Sequence, residues 1–148
     1  MADRQRVLLL TGASRGIGHA TVKTFSEAGW RVLTLSRHPF DPRCPWEGGA
    51  KNHVQLDLAD IDRVHAEMPR LCAIVGDGLD ALINNAAISP KRSEGGKIRA
   101  LEMAHADWLH IFNVNFFAPP SHGQRGSKGW RERVSTRQPA SLNVFTVA

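Results

Sequence analysis

The chain has 148 residues, 42% apolar and 22% charged, with a formal net charge of +5, two cysteines and no tyrosine. This suits one folded core of a soluble protein, is short for a complete nucleotide-dependent enzyme, and excludes a disordered chain. No apolar run approaches the ~20 residues a membrane helix needs, and the charged start MADRQR runs straight into a strand-like segment, without the pattern of a signal peptide. Cys44 and Cys72 are far apart with no CxxC spacing. They are read as reduced thiols, so a cytoplasmic location is expected. The charge is uneven. Residues 1–118 hold 14 Lys and Arg against 13 Asp and Glu, while residues 119–148 hold 5 against 1, so the basic character belongs to the tail.

Arg6–Thr11 is continuously apolar and predicts a first strand covered on both faces. Gly18–Ala28 predicts a helix, with Ala20, Val22, Phe25 and Ala28 near helical spacing and Gly29 as its stop. Arg31–Ser36 predicts a second strand, the Pro-rich HPFDPRCPWEGG a loop, and His53–Leu58 a third strand. Asp60–Val75 has helical spacing at Ile61, Val64, Met68 and Leu71. Asp60 is its expected cap, and Pro69 is expected to kink or split it. Leu79–Asn84 predicts a fourth strand, followed by the basic loop SPKRSEGGK. From Asp107 to about Phe117 a helix is expected, with Ala106 or Asp107 at its cap and Trp108, Ile111, Phe112 and Val114 available for burial. Strands separated by helix-length segments imply βαβ units, a mostly parallel sheet and a doubly wound, Rossmann-type α/β fold.

Between the first strand and the first helix stands TGASRGIG, Thr11–Gly18. Gly12 permits a tight turn off the strand. Gly16 lets the backbone approach a pyrophosphate, and Gly18 permits close packing of the helix. The exposed N–H groups and the helix dipole then favour phosphate. Other patterns carry less. The seven histidines show no metal spacing, so no metal site is expected. Asp57, Asp60 and Asp62 lack the glycine and distal glutamate of a calcium loop. Trp46 and Trp108 are read as core. The tail cations Arg125, Lys128, Arg131, Arg133 and Arg137, interleaved with Trp130, are read as a solvated segment rather than a nucleic-acid site.

Thr11–Gly18 resembles the cofactor fingerprint of the short-chain dehydrogenase/reductase family. Three further motifs follow in order. Asp57-Leu58 resembles the family's acidic residue after the third strand, which faces the adenine ring. Asn84-Asn85-Ala86-Ala87 resembles its NNAG motif, with Ala87 in place of the usual glycine. Asn115, within Asn113-Val114-Asn115, resembles the helix asparagine that supports the active site through a water. The resemblance covers about residues 5–118. It implies a nicotinamide dinucleotide held by Gly12, Ser14, Arg15, Gly16, Ile17, Gly18, Arg37, Asp57, Leu58, Asn84 and Ala86, with Asn115 in a supporting role. It also implies hydride transfer between the cofactor and a carbonyl or alcohol. Family members selective for NAD usually carry an acid at the end of the second strand; here that place reads Leu35-Ser36-Arg37. Arg37 and Arg15 instead suit a 2′-phosphate, so NADP(H) is favoured over NAD(H).

The family's chemistry uses Tyr-x-x-x-Lys with an upstream serine, and a chain without tyrosine cannot hold that motif. The chain is therefore expected to be the cofactor-binding half of an oxidoreductase, inactive on its own. The alternative is a non-catalytic nucleotide-binding fragment, or one that interferes with a homo-oligomer of the family type. Residues 1–118 form the incomplete dinucleotide-binding domain. Residues 119–148 lose all periodicity and are read as an irregular tail, disordered or the product of an interrupted reading frame. A sheet ending at four strands would leave the fourth as an apolar edge. Ser141–Ala148 is the candidate for a substitute fifth strand, with a disordered tail as the preferred reading.

Overall fold

The computed structural model describes residues 4–76, 78–92, 94–118 and 140–143. Five parallel strands form one sheet: β1 (Val7–Thr11), β2 (Arg31–Ser36), β3 (His53–Gln55), β4 (Ala81–Asn84) and β5 (Ala140–Asn143), in the order β3-β2-β1-β4-β5. Among the described residues, the helices α1 (Gly16–Glu27), α2 (Ile61–Val75) and α3 (His105–Phe112) lie between strands in sequence.

The apolar run of β1 is explained by helices on both faces. Leu8 and Leu10 point to one face and pack with Val32, Ile83 and the α1 residue Val22. Val7 and Leu9 point to the other, with Leu33, Leu35 and the α2 residues Val64, Met68, Leu71 and Val75. Burying each such side chain contributes about 1.5–3 kcal/mol. At the start of β1, Asp80 accepts from the Val7 N–H at 2.7 Å and holds Arg4 through both carboxylate oxygens.

Helix ends differ from the sequence expectation in ways the local geometry explains. α1 begins at Gly16, inside the glycine loop, and its apolar face is narrower than expected, since Ala20 and Ala28 are exposed. It stops at Gly29, whose φ of +78° suits glycine. The Gly29 N–H donates to Ser26 O and the Trp30 N–H to Phe25 O. The Phe25 and Trp30 rings meet edge-to-face at 5.1 Å, which is the apolar contact that accompanies this type of stop. In α2 the Asp60 carboxylate accepts from the Arg63 N–H at 2.9 Å, in the expected cap position. Pro69 does not split α2, which is one continuous helix through it. Pro69 is on the exposed side of the helix, where the carbonyl it leaves without a partner can face water.

α3 starts two residues earlier than expected, with Ala104 as cap and the Asp107 carboxylate accepting from the Ala104 N–H at 3.2 Å. It passes into a π-helical turn, Asn113–Phe117, that aims Val114 and Ala118 at the sheet. Trp108 and Phe112, expected to be buried, lie instead with Phe116 and Phe117 in an exposed aromatic row.

β5 pairs with β4 from Ala81↔Ala140 to Asn84↔Asn143, so the fourth strand is not an edge. The four expected strands are present, and a fifth joins them at the place of the candidate substitute strand. The strand lies one residue earlier than the candidate Ser141–Ala148, whose last residues, like residues 119–139 and their basic cluster, lie outside the described residues. Among the described residues no helix is long and apolar enough to cross a membrane.

Replacing Leu71, 1% exposed, by alanine is expected to cost about 2–5 kcal/mol of unfolding free energy in urea titrations. Leu101→Ala, at a side chain 96% exposed, should change it by no more than about 0.5 kcal/mol. Equal effects of the two substitutions would contradict this packing.

Candidate functional site

The chain order β1, β2, β3 runs outward to one side, and β4 then returns to the other side of β1. The carboxyl ends of β1 and β4 therefore flank a topological switch point, where open α/β sheets form a crevice. A cleft of about 530 Å³ lies there.

The rear of the cleft is built from hydrogen bonds between the two strand ends. Thr11 Oγ1 accepts from the Asn85 and Ala86 N–H groups at 3.1 and 3.0 Å, while Asn85 Nδ2 donates to Thr11 O and Gly12 O at 3.2 and 2.9 Å. Thr11 and Asn85 are both buried, so these bonds are shielded from competing water. A Cβ on Gly12, whose φ is +71°, would lie 2.7 Å from Ala86 Cα. A Cβ on Gly18 would lie 2.2 Å from Gly12 O. Gly18 therefore serves packing of α1 against the loop itself, and it does not line the cleft.

Gly16 has a different environment. Its φ is +57°, and nothing lies within 4 Å of where a Cβ would be. Arg15 is the N-cap of α1 in extended conformation, with no side-chain hydrogen bond to the first turn. α2 and α3 each have a carboxylate at that end, from Asp60 and Asp107; α1 has neither a side-chain cap nor an acid in its first turn. Its leading N–H groups and dipole therefore meet the cleft without a carboxylate capping them, a setting that suits a phosphate.

The other expected residues separate into two groups. Ser14, Arg15 and Ile17 line the cleft on the glycine-loop side, Arg37, Asp57 and Leu58 at the ends of β2 and β3, and Ala86 and Ala87 after β4. Asn84 does not line it. As the last residue of β4 it sits in the sheet, in register with Thr11 and Asn143, and its neighbour Asn85 faces the cleft. Asn115 stands behind the wall, accepting from the Ile88 N–H at 2.8 Å and donating to Ile88 O at 2.9 Å. Ser36, His38, His110 and Val114 also line the cleft and were not among the expected residues. Ser36 and His38 adjoin Arg37 in sequence, which was the available signal; His110 and Val114 arrive through the helix packing alone. Arg37 Nε donates to His38 Nε2 at 3.2 Å.

A second cleft of about 620 Å³ lies under the loop after β2 and shares Ser14, Ser36 and His38 with the first. Several of its polar groups are already paired. Thr34 bonds His53 at 2.9 Å, Trp46 Nε1 donates to Ser26 Oγ, and Ser36 donates to His38 O. Arg43 beside Asp41 holds that carboxyl down to about 2, so it stays ionised at any pH near neutral. The open helix terminus belongs to the first cleft.

The family model for short chain dehydrogenases matches residues 6–134, past the residue at which the sequence motifs end. Protein FixR of Bradyrhizobium diazoefficiens is 48% identical over 97% of this chain and 51% of its own length. An oxidoreductase of the short chain dehydrogenase/reductase family from Brucella ovis, solved with a partially ordered NAD, superposes with a TM-score of 0.76. It is 42% identical over 88% of this chain and 58% of its own. The ligand-free aldohexose dehydrogenase of Thermoplasma acidophilum gives 0.69 at 28% identity, over 95% of this chain and 49% of its own. The chain thus spans about half the length of these relatives. With its sheet order, its glycine turn and these matches, the chain belongs to the short chain dehydrogenase family.

Proposed function

We propose that the chain is the dinucleotide-binding half of an NADP(H)-dependent oxidoreductase that interconverts a carbonyl and an alcohol. One observation carries this reading. Among the described residues, α2 and α3 start with a carboxylate cap and α1 does not, and the start of α1 opens into a cleft lined by Arg15 and Arg37. The NAD in the Brucella ovis relative supports a nicotinamide dinucleotide as the ligand. In this reading the backbone N–H groups of Gly16 and Ile17 hold the pyrophosphate, and Gly16 leaves room for it. Asp57 and Leu58 form the wall for the adenine.

Preference for the 2′-phosphate rests on charge. β2 ends at Ser36 and is followed by Arg37, bringing no acid to the cleft, so nothing there favours a bare 2′-hydroxyl. Arg15 and Arg37 supply two permanent cations for charge-assisted hydrogen bonds. His38, which accepts from Arg37 Nε, leaves the terminal guanidinium nitrogens available.

When bound, the nicotinamide supplies the hydride. A proton must move with it, and the family's tyrosine for that step is missing from this sequence. The chain by itself binds cofactor without turnover.

Titration of the chain with NADPH and NADH, followed by cofactor fluorescence, should show tighter binding of NADPH. Arg37→Asp should cut the affinity for NADPH by roughly 10- to 100-fold with little effect on NADH, the size expected for losing a hydrogen bond to a charged group. An unchanged preference would contradict the role of Arg37. In an absorbance assay with a panel of aldehydes, ketones and alcohols, the chain alone should show binding but no oxidation of NADPH or reduction of NADP. Sustained turnover would refute the inference from the missing tyrosine.

A further inference from the structure

The π-helical turn after α3 places two asparagines on either side of one buried residue. Val114 faces the sheet and is 5% exposed. Asn113 and Asn115 flank it and make their hydrogen bonds on opposite sides of the turn. Asn115 reaches the β4 side and closes both of its hydrogen bonds on the Ile88 backbone. Asn113 reaches the β3 side, where its Nδ2 donates to Ala59 O at 3.2 Å. The turn thereby braces the two walls of the cleft against each other.

On the β3 side the contact continues. The Ala59 N–H donates to Asp57 Oδ1 at 2.9 Å, and the Asp60 N–H to Asp57 O at 3.3 Å. Asp57 is exposed and lines the cleft, so without these bonds its carboxylate would sample many rotamers in water. Asn113 does not line the cleft and has no contact there of its own.

We infer that Asn113 is a positioning residue for dinucleotide binding. By fixing the Ala59 backbone it holds the Asp57 carboxylate in place at the cleft wall. The inference rests on the reading that a nicotinamide dinucleotide occupies this cleft. Affinity is then set partly by a residue that the ligand does not touch, because an ordered carboxylate loses less freedom on binding than a mobile one.

The test is a double-mutant cycle on the full chain, with NADPH and NADH as the probes. Asn113→Leu keeps the bulk and removes the donor, and should weaken the tighter-binding dinucleotide roughly two- to tenfold. In an Asp57→Ala background the same substitution should cost less than about twofold, because the group through which it acts is gone. Equal losses in the two backgrounds would mean a merely structural role and would overturn the inference, as would no loss in either. If Asn113→Leu does not fold, Asn113→Asp, which also lacks the N–H donor, is read by the same criteria. If the parent chain binds neither dinucleotide, the proposed function fails while the brace remains testable by amide exchange. Asn113→Leu should then speed exchange of the Ala59 N–H by about tenfold and leave Leu9 and Leu10 unaltered; an unchanged Ala59 rate would overturn it.

Discussion

The buried tie between Thr11 and the Asn85-Ala86 backbone is the constraint on which the rest of the site depends. β1 and β4 are neighbours in the sheet but far apart in sequence, and beyond their last paired residues nothing in a parallel ladder fixes how the two chains diverge. One hydroxyl accepting two N–H groups, and one amide donating to two carbonyls, fix that divergence at the switch point. Removing either side chain would strand buried backbone groups, at about 1–3 kcal/mol for each. Gly12 and Gly18 follow from the tie, since a Cβ on either would collide with the backbone it draws together. So does the direction of α1, whose open terminus then faces the cleft.

Much of this was legible in the sequence because it is local. Strand and helix periods depend on which face of a segment is covered, and the continuous Val7–Leu10 run signalled coverage on both. The glycine turn was legible for the same reason, as was Asp60 as a cap. What escaped depends on contacts between distant segments. Asn84 and Asn85 are chemically identical, and which of them faces the cleft is decided by where β4 stops pairing. The burial expected of Trp108 and Phe112 failed because helical spacing reports an apolar stripe but not what covers it. Pro69 removes a hydrogen bond wherever it stands, and only its exposure shows that the loss is tolerated. A strand against β4 is a candidate at Ser141–Ala148 in the sequence but not the preferred reading, because a tail without periodicity does not show that it pairs; its start at Ala140 is set by the neighbouring strand.

The site divides its work between backbone and side chains. In the proposed reading, backbone N–H groups at the start of α1 bind the anion and need no ordering when a ligand arrives, which lowers the entropic cost of binding. Charged side chains at the ends of β2 and in the loop, Arg37 and Arg15, lie nearer solvent and suit discrimination between ligands more than raw affinity. Asn113 and Asn115 connect the two walls from behind without entering the cleft. In the proposed reading this division assigns the holding of a cofactor to the described residues, and the sequence contains no tyrosine.

A crystal structure of the full chain with NADPH tests this account most directly. The pyrophosphate should lie against the Gly16 and Ile17 N–H groups, with the 2′-phosphate beside Arg15 and Arg37. NADPH bound in the cleft under the loop after β2, or an empty switch-point cleft at saturating NADPH, would contradict it.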